Sequence, residues 1–341
     1  MEKTNLGYAC INMTLRKSDN ITINRTCIKR TLETKGLPHI SNITLQNVTD
    51  LSKIIQWNYE NGISVYRMSS AIIPWFSEFE IDELPDAKLI RQRLKEAGDL
   101  AKKYNQRLTF HPGQFCVLAS PSEKVVDASI VELNNHAEVM DVMGLPQTPY
   151  NKINIHIGGA YGDKKSAMER FCKNFKRLSP GAQARLTVEN DDKASMYSVV
   201  DLYHGIYKVI GIPIVFDYYH HKFCTGDLTE KDALILAAST WPEDVKQIVH
   251  YSESRRQEKS LIVENLMSKN NITLENISEF PTVEKLHQER QKIKAQAHSD
   301  YIVDFIDSYG LDIDVMVESK AKELSVFAYR EYYQKTLKKV S

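Results

Sequence analysis

Pro213-Ile214-Val215-Phe216-Asp217-Tyr218-Tyr219-His220-His221 carries an apolar run straight into a carboxylate and, three positions later, an imidazole. The pattern recurs along the chain. Arg107–Phe110 leads into His111, Lys152–Ile155 into His156, Arg185–Val188 into Glu189, Lys246–Val249 into His250 and Ile313–Val317 into Glu318. Short Val/Ile/Leu/Phe runs without polar alternation, separated by helical stretches, read as strands of a parallel sheet buried on both faces. Leu6–Ala9 and Ile63–Arg67 bring the set to eight. Eight strands in β-α alternation over 341 residues fit an α/β fold of the (β/α)8 TIM-barrel class in a single domain, with its active site at the C-terminal strand ends. The polar residues stand where that fold does chemistry, and their types predict a ring of metal ligands.

The intervening segments support the alternation. Val48, Leu51, Ile54 and Ile55 form one apolar face that Asn61-Gly62 ends, and Leu89, Leu94, Ala97 and Tyr104 form another. Pro121 is expected to open a third helix with Ile130, Leu133, Ala137 and Met140 inward, closed by Gly144. Met168, Phe171, Phe175 and Leu178 mark a fourth helix; Val199, Leu202, Ile206 and Val209 mark a fifth that Gly211 ends. Residues 16–46, rich in Asn, Thr and Lys, read as a wrap around the barrel or a long first loop. Residues 253–297 are too long for a simple connection and read as a helical insertion, with Leu286, Ile293 and Ala297 on one side.

Composition narrows the function classes. Forty-four basic and forty-four acidic residues cancel, which excludes a protein held on nucleic acid by whole-surface charge and requires any such surface to be local. The five cysteines are scattered, odd in number and free of C-x-x-C spacing, so a thiolate zinc site is disfavoured and a reducing compartment is expected. No apolar stretch approaches membrane-spanning length, and no charged-then-apolar leader opens the chain; the expectation is a soluble intracellular protein. Imidazole mixed with carboxylate suits Mn2+ or Zn2+, whereas Ca2+ or a pure Mg2+ site takes oxygen almost exclusively. His136 lies between Leu133 and Met140 on a helix and reads as structural.

Longer motifs surround these residues. They include Leu6-Gly7-Tyr8-Ala9-Cys10-Ile11-Asn12, Tyr66-Arg67-Met68-Ser69-Ser70 and His111-Pro112-Gly113-Gln114-Phe115. Asn154-Ile155-His156-Ile157-Gly158-Gly159, Glu189-Asn190-Asp191-Asp192-Lys193, His298-Ser299-Asp300-Tyr301-Ile302 and Met316-Val317-Glu318-Ser319-Lys320 follow in order. Together they resemble the signatures of the ultraviolet-damage endonucleases, from residue 6 to about residue 325.

The resemblance implies a metal-dependent endonuclease, in general a monomer, that nicks damaged double-stranded DNA immediately 5′ of a lesion. It implies a cluster of divalent ions, Mn2+ before Zn2+ or Mg2+, held by His111, His156, Glu189, Asp217, His220, His250, His298 and Glu318. Glu189 is implied as the bridging ligand, and Glu189, His111, His250 and Glu318 as the catalytic set. Where the family carries a further histidine beyond its proline, this chain has Glu78 four residues after Pro74, implied as a substitute ligand; two residues before His250, where some members carry lysine, stands Ile248. Gln114 and Phe115 resemble the pair pushed into the duplex opposite the lesion, Tyr8 and Asn12 match lesion-pocket residues, and Lys164 and Arg67 are implied as phosphate contacts. Two other classes share parts of the pattern. A sugar isomerase or epimerase of the xylose-isomerase type also places Glu, Asp-x-x-His and Glu at late strand ends, and the Glu78 departure leaves open a damage-binding protein without catalysis.

Overall fold

The computed structural model describes residues 4–340, and among these eight parallel strands alternate with helices. The order is β1 (Asn5–Ala9), α1 (Met13–Asp19), α2 (Lys29–Glu60), β2 (Val65–Arg67), α3 (Ala87–Lys103), β3 (Arg107–Thr109), α4 (Glu123–Val142), β4 (Ile153–Ile155), α5 (Lys164–Phe175), α6 (Pro180–Arg185), β5 (Leu186–Glu189), α7 (Val199–Leu202), α8 (Lys208–Ile210) and β6 (Ile214–Val215). It continues with α9 (Tyr218–His221), α10 (Glu230–Ala238), β7 (Gln247–Tyr251), α11 (Arg255–Lys269), α12 (Pro281–Gln291), β8 (Ile313–Val317) and α13 (Glu323–Val340). The strands form a five-stranded arc, β3-β2-β1-β8-β7, and a three-stranded arc, β4-β5-β6. Single parallel bridges, Phe110 to Ile153 and Asp217 to His250, hold the two seams between the arcs. The fold is of the TIM-barrel class in one domain, with its ladder interrupted at those seams rather than continuous around the ring.

The strand runs alternate after all. Arg107, Lys152, Asn154, Thr187 and Asp314 are buried among the apolar strand residues, and their side chains meet across the interior. Arg107 lies on Asp314 at 3.1 Å and donates to the carbonyls of Tyr150 and Lys246, both at 2.7 Å. Lys152 Nζ reaches His250 Nε2 at 3.0 Å, and Thr187 donates to Asn154 Oδ1 at 2.8 Å. Period-2 geometry sends every second side chain to the barrel axis, so one polar series ends in His111, His156, Glu189 or Glu318 at the mouth.

Four helix details differ from the sequence expectation. In α3 the buried face is Ile90, Leu94, Ala97, Gly98 and Ala101, leaving Leu89 exposed. In the fifth helix Val199, Leu202 and Ile206 are buried but Val209 is exposed, because a π turn over Tyr203–Tyr207 widens the spiral and rotates the apolar face past it. Pro121 precedes the Ser122 cap of α4 instead of opening the helix. Most of residues 16–46 are helical: α2 runs from 29 to 60 through a kink at Gly36 (φ 65°), just before Pro38.

Residues 255–269 and 281–291 are α11 and α12, which share a small apolar cluster of their own around Val263, Ile272 and Val283. The ends of this segment are drawn together. Arg255 N donates to Ala297 O and Ser299 N to Glu253 O, each at 2.8 Å, and Ser254 bridges to His298. His298 therefore stands where the segment rejoins the barrel.

Gly98 on α3 faces the backbone carbonyl of Met143, and a Cβ there would overlap it. Gly98→Ala is expected to destabilise the protein by roughly 1–3 kcal/mol, the usual cost of overpacking a tight contact. Chemical denaturation should show a lower midpoint with an unchanged slope; an unchanged midpoint would mean that α3 and α4 shift apart freely.

Candidate metal centre

The strand-end residues converge. Three groups each bring ligand atoms within 4.8 Å of one another: His111, His156 and Glu189; Glu189, Asp217 and His220; Asp217, His250 and Glu318. Glu189 and Asp217 each belong to two of them, so the groups form a chain with two shared carboxylates. Glu189, at 1% exposure, is central. His111 Nε2 lies 3.2 Å from its Oε2, His250 Nδ1 3.0 Å from the same atom, His220 Nδ1 3.3 Å from Oε1 and His156 Nε2 3.9 Å from Oε1.

Local structure aims these side chains. Asp217 caps α9, accepting from the His220 amide at 2.7 Å, and this turn places His220 beside its own cap. Asn190 fixes the Asp217 backbone by donating to its carbonyl at 3.0 Å and accepting from its amide at 2.8 Å. His111, His220 and His298 each bring Nδ1 to a backbone carbonyl, of Pro112 (3.1 Å), Asn190 (2.9 Å) and Glu318 (2.8 Å). A carbonyl only accepts, so Nδ1 carries the proton and Nε2 the lone pair in each neutral ring, the arrangement that prepares imidazole for a cation. For His111 that lone pair faces a carboxylate. Such a contact needs a proton or a cation between the two atoms.

Buried atoms point the same way. Asp217 Oδ2, His156 Nδ1 and His250 Nδ1 have no hydrogen-bond partner among the described residues; the close approaches of the two nitrogens to carboxylates lack hydrogen-bond alignment. Native proteins seldom leave several such groups in one place without a ligand. The donor set fits divalent cations.

The electrostatics of the metal-free site are strained between neighbours. Burial works against charge on Glu189, but His250, His156 and the bond from His111 hold its carboxyl well below the usual range. Glu318 is likewise held low, against burial, by Arg67 and His250. Burial raises Asp217 to about 6, opposed by His220 and helped by Glu189. Against burial, Glu189 and Asp191 lift His156 to about 10, while Asp217 and Glu189 lift His220 to about 9. Burial takes His250 down to about 4 and Lys152 to about 7, Glu189 opposing in both cases.

The other sequence candidates fall in different places. His298 Nδ1 is 3.7 Å from Glu318 Oε2, so its ring borders the cluster. Arg67, last in β2, pairs with Glu318. Gln114 and Phe115 are exposed, Phe115 at 82%, on one wall of a groove of about 680 Å3 that reaches His111, His156 and His220. Lys164 pairs with Asp201 at 3.2 Å beside the Tyr197 ring. Glu78 is not brought to the cluster: it sits in a short 3-10 turn, half exposed, 3.6 Å from Lys29. Tyr8 and Asn12 do not line the groove either. Both are fully buried in a chain of hydrogen bonds in which Asn12 donates to the Tyr8 hydroxyl and Tyr8 to Asn58, each at 2.8 Å.

Four contributors escaped the sequence reading: Lys152, Asn154, Asn190 and Asp191. Asn154 donates to Glu189 Oε2, and Asp191 Oδ1 lies 3.2 Å from His156 Nδ1. The signal for the first two was the polar step of two in Lys152-Ile153-Asn154-Ile155-His156.

The protein is of the TIM-barrel class, with a candidate metal centre of histidines and carboxylates at its strand ends. Within that class the chain belongs to the UV-endonuclease UvdE family, whose model matches residues 4–340. It is 35% identical over 339 residues to the UV-damage endonuclease of Schizosaccharomyces pombe, covering 96% of this chain and 50% of that protein. It is 37% identical over 253 residues to the UV DNA damage endonuclease of Clostridium perfringens, covering 73% of this chain and 58% of that protein. The chain thus spans little more than half the length of these two relatives. Among solved structures, the crystal structure of SacUVDE superposes with a TM-score of 0.76 at 27% identity, covering 98% of this chain and 99% of that one. A 3-keto-D-glucoside 4-epimerase from E. coli, YcjR, shares the fold alone, with a TM-score of 0.51 at 12% identity.

Because His156 and His220 stay charged at pH 7 without metal and must be neutral as ligands, loading a divalent ion should release about two protons, and affinity should fall as pH is lowered. Titration calorimetry in buffers of different ionisation enthalpy measures this directly. His220→Asn should lower the release by about one proton; loading without proton release would remove both residues from the ligand set.

Proposed function

We propose that this protein is a metal-dependent DNA repair endonuclease that nicks damaged duplex DNA 5′ of ultraviolet lesions by phosphodiester hydrolysis, leaving 3′-hydroxyl and 5′-phosphate ends. The observation that carries the reading is the gathering of His111, His156, Asp217, His220, His250 and Glu318 around Glu189, in a chain of the UvdE family. Mn2+ suits this mixed donor set first, with Zn2+ or Mg2+ as alternatives. Bound divalent ions would activate water and neutralise charge on the phosphate during in-line displacement.

The chain's own residues supply position and charge. Glu189 stays ionised at low exposure and faces four imidazoles, so it is the natural shared ligand. Arg67, fixed by Glu318, keeps a cation at the edge of the cluster where a phosphate oxygen would lie. His298 borders the same recess. The exposed Gln114–Phe115 pair, anchored by buried Pro112 and Cys116 on either side, is placed to fill the gap left by extruded nucleotides. Extrusion costs only a few kcal/mol when the bases are already damaged.

Two measurements test the reading. Glu189→Gln is expected to abolish nicking of irradiated duplex while DNA binding stays within about tenfold, because the lost group holds metal and not DNA. Full activity in that variant, or turnover of ketose sugars by the metal-loaded parent in place of DNA nicking, would overturn the proposal.

Gln114→Ala combined with Phe115→Ala is expected to lose discrimination between irradiated and intact duplex, since the wedge offsets the cost of extrusion. Unchanged relative cutting rates would make the loop a structural feature only.

A further inference from the structure

A groove of about 400 Å3 lies between α11 and α12, well away from the Gln114–Phe115 wall. Its floor is apolar, formed by Ile262, Leu286 and Ile293, and its rim is cationic: Arg255, Lys259, Arg290, Lys294 and Lys320 against the single carboxylate of Glu289. These cations are not equally available. Lys259 is neutralised by Asp300 at 2.6 Å and Glu258 at 3.4 Å. Arg255 and Arg290 have only loose partners, Asp300 at 3.9 Å and Glu264 at 3.6 Å. Lys294 and Lys320 are exposed, and neither forms an ion pair among the described residues. In a chain whose net charge is zero, this is a local excess of positive charge on a concave surface.

The groove adjoins the candidate metal centre. Ala297 and Lys320 line it and also line a recess of about 260 Å3 that contains Arg67, His298 and Glu318. The connection is rigid, because Tyr219 donates to the Ala295 carbonyl and Arg255 N holds Ala297 O. A polyanion whose reacting phosphate sits at the centre would therefore meet these cations as it left.

We propose that the groove between α11 and α12 is a second backbone track, in which Lys294, Lys320 and Arg290 contact phosphates of one DNA arm flanking the lesion while the apolar floor packs against its sugars. This rests on the endonuclease reading, and it assigns residues 253–297 to substrate binding. The contacts are to backbone, so they carry no sequence preference.

The test compares the parent with a Lys294→Gln/Arg290→Gln variant, both as the full chain loaded with Mn2+, binding irradiated duplexes over a range of salt. Each lost phosphate contact should weaken binding uniformly across sequences and reduce the slope of log affinity against log salt by about 0.9. With duplexes extended on one side of the lesion only, the deficit should appear for one arm and not the other. Lys294→Arg should restore the slope contribution of that position. An unchanged affinity, a loss without change of slope, or an equal deficit on both arms would overturn the track. Failure of the parent to nick irradiated DNA at all would instead overturn the endonuclease reading, so the two failures are separable.

Discussion

The charge on Glu189 is the constraint around which the barrel mouth is organised. A carboxylate held ionised at 1% exposure carries a desolvation cost of several kcal/mol unless opposite charges and donors surround it. Here they come from separate elements: His111 after β3, His156 after β4, His220 on α9 and His250 within β7, with the Asn154 amide below. Because each ring must reach the same pair of oxygens, the strands that deliver them must stop at matching heights. The Asp217–His250 bridge shows this locally, since the backbone contact that joins two arcs of the sheet links two candidate ligand residues.

The closed end of the barrel uses the same physics with fixed donors. Arg107 leaves β3 and spans the seam toward β4 through the carbonyls of Pro149 and Tyr150, then reaches β8 through Asp314. Lys246 adds a second cation to Asp314 at 3.2 Å. Halfway along, Lys152 joins the start of β4 to His250 on β7. Where the ladder is broken, interior polar side chains carry the connection. Such networks are strong when every member is satisfied, and at the mouth Asp217 Oδ2, His156 Nδ1 and His250 Nδ1 are left without hydrogen-bond partners.

The strand ends were legible because two independent constraints coincide there: a buried parallel strand is locally apolar, and a residue beyond its end is free to be chemical. His111, His156, Glu189, Asp217, His250 and Glu318 all stand at that junction. Lys152 and Asn154 were hidden by the same rule, since each interrupts an apolar run that averages to hydrophobic. Glu78 was placed by its spacing from Pro74, but spacing in a loop does not fix direction, and Lys29 offers it a partner near the surface. Tyr8 and Asn12 are buried side chains. The resemblance implies a pocket for them, whereas inside the fold Asn12 donates to the Tyr8 hydroxyl and caps α1, and Tyr8 donates to Asn58. The π turn that exposes Val209 leaves no mark in a hydrophobic period read over a few turns.

Net neutrality conceals an uneven placement of charge. Four buried acids are used inside the fold: Glu189 and Asp217 in the candidate ligand cluster, Glu323 on the Met13 and Thr14 amides, and Asp314 on Arg107. Acids used internally do not repel a ligand approaching from solvent as surface acids would. Divalent ions at the centre would cancel the carboxylates nearest the mouth and reverse the local potential. Arg67, Lys320 and Lys322 line the recess, Arg67 paired inward with Glu318, and exposed Lys294 lies beyond. A balanced composition is thus compatible with a polyanionic substrate, because some of the acid is used inside the fold while Lys294 and Lys320 stand exposed at the rim.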